Sequence, residues 1–320
     1  MFMLKRGLLS GLSTTWTLSK VIFPITLFIT ILGYTPVLHW IASFISPLMK
    51  LIGLSGEAAI PLVIGNALNL YAGIGAILSL DLTVKEVFIL AIMLSFSHNL
   101  FIESAVAAKV GLRISVILAV RIGLALISAF VINLVWQGGG VQAVYGFGSN
   151  SEAAPVASVP SGWLAILGEG IMAGVTGILQ LAIIVIPLMI IVQIMREKNW
   201  LKVIANSLAP LTKLIGVEKN TSITLASGLS IGLAYGAGVM IDAVKEDKVK
   251  KKDLYIVFIF LVACHAVVED TLVFLILGIP VWPLLVIRLT VALLLTIVIS
   301  RLWNQYEKKH SNRAEETYAH

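Results

Sequence analysis

The sequence predicts an all-α integral membrane protein, a polytopic helical bundle of two inverted repeats. Each repeat has about three spanning helices and one re-entrant or broken polar segment. Three observations carry this. Of 320 residues, 58% are hydrophobic and 12% charged, and the mean hydropathy is +0.99, whereas soluble domains are about a quarter charged. The apolar residues gather in runs long enough to cross about 30 Å of hydrocarbon at about 1.5 Å per residue. The chain also repeats itself.

The repeat is centred on Ser97–Ser104, SHNLFIES, and its echo Cys264–Thr271, CHAVVEDT. Laying His98 on His265 puts Glu103 on Asp270, Ser104 on Thr271, Arg121 on Arg288 and Trp136 on Trp303 at one constant offset. Upstream, Pro24 meets Pro187, Gly65 meets Gly228 and Gly73 meets Gly236 at an offset four residues smaller, so one short insertion near Lys248 reconciles the two. The expected organisation is a first repeat over 1–136, a flexible external linker over 137–162, a second repeat over 163–303 and a polar cytoplasmic tail over 304–320.

Apolar runs cover roughly 21–45, 86–108, 114–136, 164–195, 254–277 and 281–302. The first follows Lys5 and Arg6 and is too long for a signal peptide's apolar core, so it reads as a retained helix. Two further stretches, about 55–80 and 219–243, are rich in Gly, Ser, Thr and Asn, and are either ordinary spans or re-entrant hairpins. Positive charge separates these readings. If both stretches turn back, Lys109, Arg113, Arg196, Lys198, Lys202, Lys213 and Lys219 lie in the cytoplasm with the lysines from Lys245 to Lys252, leaving only Lys50 and Lys85 outside. If both span, the first seven move outside, against the positive-inside bias. The hairpin reading gives each half an odd number of crossings and therefore inverts one repeat against the other, as in many secondary transporters. It predicts a multi-pass protein of the cell (inner) membrane with both termini cytoplasmic. Between the halves, 137–162 has no Lys or Arg and much Gly, Ser, Ala and Pro, the composition of a linker.

The net charge of +6 sits between apolar spans, where it sets orientation, so nucleic acid is excluded as the expected partner. The lysine run from Lys245 to Lys252 reads as a solvated loop beside the lipid bilayer. A single cysteine, Cys264, cannot form an intramolecular disulfide. No nucleophile elbow, P-loop or paired-cysteine metal motif is present, so neither an enzyme nor a resident cofactor is expected.

Ionisable residues at membrane depth cost about 2.5–3.5 kcal/mol each on insertion scales and mark the candidate site. Measured from the helical turn near Gly111, Glu103 and Arg121 stand at about 12 and 15 Å, and Asp270 and Arg288 are similarly matched about the turn at Gly278–Pro280. Each couple reads as a buried ion pair. His98 and His265 lie deeper, near the bilayer midplane, as packing residues, proton carriers, solute hydrogen-bonders or metal ligands. On a continuous helix Glu269 shares a face with His265, four residues on, while Glu103, five after His98, is rotated away. The candidate solute-binding residues are therefore His98, Asn99, Glu103, His265, Glu269 and Asp270, with Asn66 and Asn69 at the tip of the first polar stretch. His98, His265, Glu269 and Asp270 are the candidates for a metal.

A unit with a Gly- and Asn-bearing polar segment, then a helix carrying SHNLFIES or CHAVVEDT, then an arginine-bearing helix, resembles the Gate or nucleoside-recognition domain. That domain occurs in spore maturation proteins A and B, in the membrane part of Feo-type ferrous-iron transporters and in relatives of concentrative nucleoside transporters. The resemblance covers nearly the whole chain in two copies. It implies re-entrant hairpins, inverted repeats and solute passage, with His98, Glu103, His265, Glu269 and Asp270 as functional positions. The expected function is a secondary permease for a small polar solute, nucleoside-like or a small carboxylate, with ion or proton coupling open and a homo-oligomer compatible with the sequence. The alternatives are a divalent-metal permease and a non-transporting membrane scaffold.

Overall fold

The structure, a computed structural model, describes residues 2–146, 162–198, 200–233, 240–241, 244 and 249–318. Two long helices, α1 (Phe2–Gly33) and α8 (Trp163–Glu197), lie antiparallel against each other. Gly7 and Gly11 meet Ile190 and Ile186, while Gly174 and Gly170 meet Phe23 and Leu27. Small residues four apart let two helices approach closely where lipid supplies no hydrophobic drive. A Cβ on Gly7 would stand 2.7 Å from the Ile190 Cα.

The first apolar run is not one span over 21–45, because the chain breaks at Tyr34–Thr35. Pro36 cannot donate an amide into the helix and pushes the residue before it to extended backbone. Thr35 sits at φ −113° and ψ 153°, and its hydroxyl donates back to the Leu32 carbonyl at 2.7 Å. After it, α2 (Pro36–Leu51) leaves Trp40, Phe44, Leu48 and Leu51 exposed as one stripe.

The first polar stretch is a hairpin of two half-length helices, α3 (Ala59–Ala67) and α4 (Leu70–Ile77). At about 1.5 Å per residue each reaches about half the hydrocarbon thickness. Gly65 and Gly73 are the crossing point, where a Cβ on Gly73 would come within 3.0 Å of the Gly65 Cα. The chain turns at Leu68–Asn69, and the Asn69 side chain caps α4 by accepting from the Ala72 amide at 2.9 Å. In the second half, α9 (Trp200–Ser207), α10 (Ala209–Ile215) and a 3₁₀ turn (Lys219–Thr221) lead into α11 (Ser222–Ile231). Most of its returning arm, with Gly236 and Gly238, lies outside the described residues.

At the centre are two helices expected to be continuous and found broken. The first repeat's is α5 (Val84–Ser97) followed by α6 (Leu100–Lys109). The second's is α12 (Lys251–Ala263), then α13 (Val267–Leu272) and a 3₁₀ segment (Val273–Leu277). The halves before each break are wholly buried from Val87 to Ser97 and from Asp253 to Ala263. Against them pack α7 (Ile114–Val135) and α14 (Val281–Tyr318). Each turns one stripe of residues spaced four apart inward: Ile117, Arg121, Ala125 and Ala129 on α7, and Leu284, Arg288, Ala292, Thr296 and Ser300 on α14. Among the described residues, four stretches are long and apolar enough to cross a membrane: Val84–Lys109, Ile114–Val135, Lys251–Leu277 and Val281–Lys309.

The expected linker is tied down over its first part. Val141 and Gly139 accept from the Val84 and Lys85 amides at 2.9 Å, Ala143 donates to Leu82 at 2.9 Å, and Gly146 donates to Ile276 at 2.8 Å. This segment supplies the acceptors that the α5 N-terminus lacks on its own. Residues 147–161 lie outside the described residues. At the other end, where a fraying polar tail was expected beyond Trp303, α14 runs on to Tyr318.

Candidate functional site

The two breaks are built alike. At the first, Asn99 adopts left-handed backbone with φ 54°, and at the second Ala266 does so with φ 42°. Asparagine tolerates that region, but for alanine it is strained. Each left-handed residue donates its amide to the matching glycine carbonyl of the polar stretch: Asn99 to Gly65 at 2.9 Å and Ala266 to Gly228 at 3.0 Å. The carbonyls exposed at the end of each half-helix are taken by an arginine from the neighbouring helix. Arg121 donates from Nε to Phe96 at 2.8 Å and from Nη2 to His98, and Arg288 donates to His265 at 2.7 Å. A cation there also meets the negative end of the helix dipole.

The same guanidiniums hold the carboxylates that follow each break. Arg121 Nη2 lies 2.9 Å from Glu103 Oε2, and Arg288 Nη2 lies 3.0 Å from Asp270 Oδ2. Both arginines are 0% exposed, so each carboxylate offsets a charge whose burial alone would be costly. The histidines sit between the pairs. His98 Nδ1 is 2.7 Å from the Leu94 carbonyl and His265 Nδ1 is 2.9 Å from the Leu261 carbonyl. A carbonyl only accepts, so both Nδ1 atoms carry hydrogen and both Nε2 atoms face inward. The Nε2 atoms lie 3.4 Å apart, and Glu103 Oε1 lies 3.3 Å from each. Asp270 Oδ2 is 3.6 Å from His265 Nε2.

This reverses the expectation from helical faces. With the helix broken after His98, Glu103 folds back onto the histidine instead of rotating away. Glu269 instead turns to the Tyr71 hydroxyl, which donates to its Oε1 at 2.5 Å. Of the four residues expected as metal candidates, His98, His265 and Asp270 bring their donor atoms together within 4.8 Å. Glu103, not Glu269, reaches the two histidines.

A cavity of about 230 Å³ opens beside the cluster, lined among others by His98, Asn99, Glu103, His265, Glu269 and Asp270. Asn69 lines it too, whereas Asn66 does not. The Asn99 side-chain carbonyl oxygen is buried there without a hydrogen-bond partner among the described residues. Tyr71 and Leu233 also line it and were missed from sequence. The signal for Tyr71 was its place two residues past the hairpin tip, but its repeat counterpart is Ala234, so the repeat could not single it out.

Fold and site together define an all-α, multi-pass membrane protein in which two internally similar broken helices meet around a small polar cavity. The chain belongs to the Gate family, described as nucleoside recognition, whose model matches residues 15–113 and 178–280. It is similar to the uncharacterized membrane protein YvoD of Bacillus subtilis (strain 168), at 62% identity over 301 residues, covering 94% of this chain and 95% of that one. No solved structure matches the chain.

Proposed function

We propose that this chain is a cell-membrane permease for a small polar solute that binds between the two broken helices, near the bilayer midplane. The observation that carries this is the pair of breaks themselves. Irregular backbone is tolerated at membrane depth only where protein buries it or it lines a cavity, and here both breaks line one cavity to which each half contributes. A scaffold gains nothing from interrupting its two most buried helices. The antiparallel α1 and α8, and the hairpin of α3 and α4, support an inverted-repeat arrangement with both termini cytoplasmic.

The lining narrows the solute. The cavity, about 230 Å³, is smaller than the usual range for drug-sized ligands. Glu103, Glu269 and Asp270 line the cavity, whereas Arg121 and Arg288 do not; each guanidinium donates to a carbonyl and pairs with a carboxylate, and among the described residues Arg121 Nη1 and Arg288 Nε and Nη1 have no further partner. The unpartnered Asn99 oxygen adds a further acceptor. Such a wall favours a donor-bearing or cationic solute, nucleoside-like, over a small carboxylate.

The test is a thermal-shift screen of the detergent-purified protein against nucleosides, small amines and small carboxylates, with hits carried into proteoliposome flux. Protein-dependent flux of a donor-bearing hit, weakened by Tyr71→Phe, is expected. Hits that bind yet never cross would leave a receptor or scaffold and overturn the permease.

A further inference from the structure

The arrangement of the two histidines has a chemical requirement that the fold does not meet by itself. Because each Nδ1–H is committed to a backbone carbonyl, two neutral imidazoles would present lone pairs to each other at 3.4 Å. A carboxylate oxygen would sit 3.3 Å from both. Three acceptors facing inward with no donor between them among the described residues is an unfavourable buried arrangement. Something positive has to lie among them.

We propose that this point binds a first-row divalent transition-metal ion, held by His98 Nε2, His265 Nε2 and Glu103 Oε1, with Asp270 as the fourth ligand. Tetrahedral bonds of about 2.0–2.1 Å place ligand atoms about 3.3–3.4 Å apart. The His–His and His–Glu separations of 3.4, 3.3 and 3.3 Å are of that size, and Asp270, 3.6 Å from His265 and within 4.8 Å of His98, completes the set by moving toward the ion. Two imidazoles with two carboxylates suit zinc, cobalt or iron(II) better than magnesium or calcium, which prefer six or more oxygens. The outer contacts are those of a metal site: each imidazole is oriented through Nδ1 by a carbonyl, and each carboxylate is oriented by a guanidinium. The ion reverses the sign of the excess charge and does not enlarge it, since three carboxylates face two guanidiniums without it.

His98 and Glu103 come from the first half and His265 and Asp270 from the second. Any motion that parts the halves splits the ligand set, so the ion is held in the closed state and released when the site opens. That makes it cargo or a coupling ion, not a permanent structural metal. This inference rests on reading the cavity as the solute site, but it is measured on solubilised protein, so it fails separately from flux in proteoliposomes.

The experiment uses cobalt(II) as probe, titrated into the full-length purified protein after chelation. The expected result is one equivalent per chain, with the intense visible absorption of four-coordinate cobalt and loss of that band on adding zinc. His98→Gln and His265→Gln are each expected to weaken binding at least tenfold while the protein still elutes as a folded species. Should those variants fail to fold, X-ray absorption of the zinc-loaded parent still decides, through imidazole scattering from two histidines. No stoichiometric binding, a weak six-coordinate cobalt spectrum, or absence of imidazole around zinc would overturn the proposal and leave a shared proton as the positive charge.

Discussion

At the scale of single residues, Arg121 has three tasks: it caps the Phe96 and His98 carbonyls and pairs with Glu103. Arg121→Ala should therefore destabilise the folded protein by about 3–5 kcal/mol, the range for stranding a buried charge, seen as loss of monodisperse yield and a lower melting temperature. Adding Glu103→Ala should recover only part of this, because the carbonyls remain uncapped. Full additivity of the two single effects would show that the residues are not coupled. Ala266 offers a gentler check. Its left-handed backbone is one that glycine adopts freely, so Ala266→Gly should raise stability by up to about 1 kcal/mol, and a clear fall in melting temperature would count against the break as described. The matched pairs Glu103 with Arg121 and Asp270 with Arg288 were legible in the sequence because depth can be counted from a turn. The approach of Glu103 to the histidines was not, because it depends on a break that a 3.6-residue period does not reveal.

At the scale of elements, the hairpin of α3 and α4 depends on Gly65 and Gly73 crossing without side chains. Gly73→Ala should weaken it by about 1–3 kcal/mol through overpacking, since its Cβ would meet both the Gly65 Cα and Leu94 at 3.0 Å. Gly123→Ala is the contrasting case. Gly123 lies within α7 with nothing inside 4 Å of its would-be Cβ, so alanine should stabilise the helix by up to about 1 kcal/mol. Equal effects from the two substitutions, read from thermal unfolding in one detergent, would contradict the crossing. The polar composition of 55–80 pointed to either a hairpin or a span, and the positive-inside count favoured the hairpin. The break before Pro36 carried its signal in the proline itself, but the long apolar run masked it. Nothing in the Gly-rich composition of 137–146 signalled that this segment completes the hydrogen bonding of the α5 N-terminus, because those bonds use backbone atoms common to every residue.

At the scale of the whole molecule, the membrane class followed from hydropathy alone, and the duplication from one superposition of SHNLFIES on CHAVVEDT. Orientation is argued from charge: residues near Arg113 should be reached by an impermeant thiol reagent only from the cytoplasmic side, and a cysteine within 137–146 only from outside. If the chain is the proposed permease, the cavity between the broken helices opens to each side of the membrane in turn. Leu233 is fully buried on the cavity wall, and in a Cys264→Ser background Leu233→Cys would be the single thiol. Labelled with an impermeant maleimide in right-side-out and in inside-out vesicles, it should react in both, more slowly than an exposed control. Reaction from one side alone, or from neither while the protein remains folded, would contradict alternating access and with it the permease.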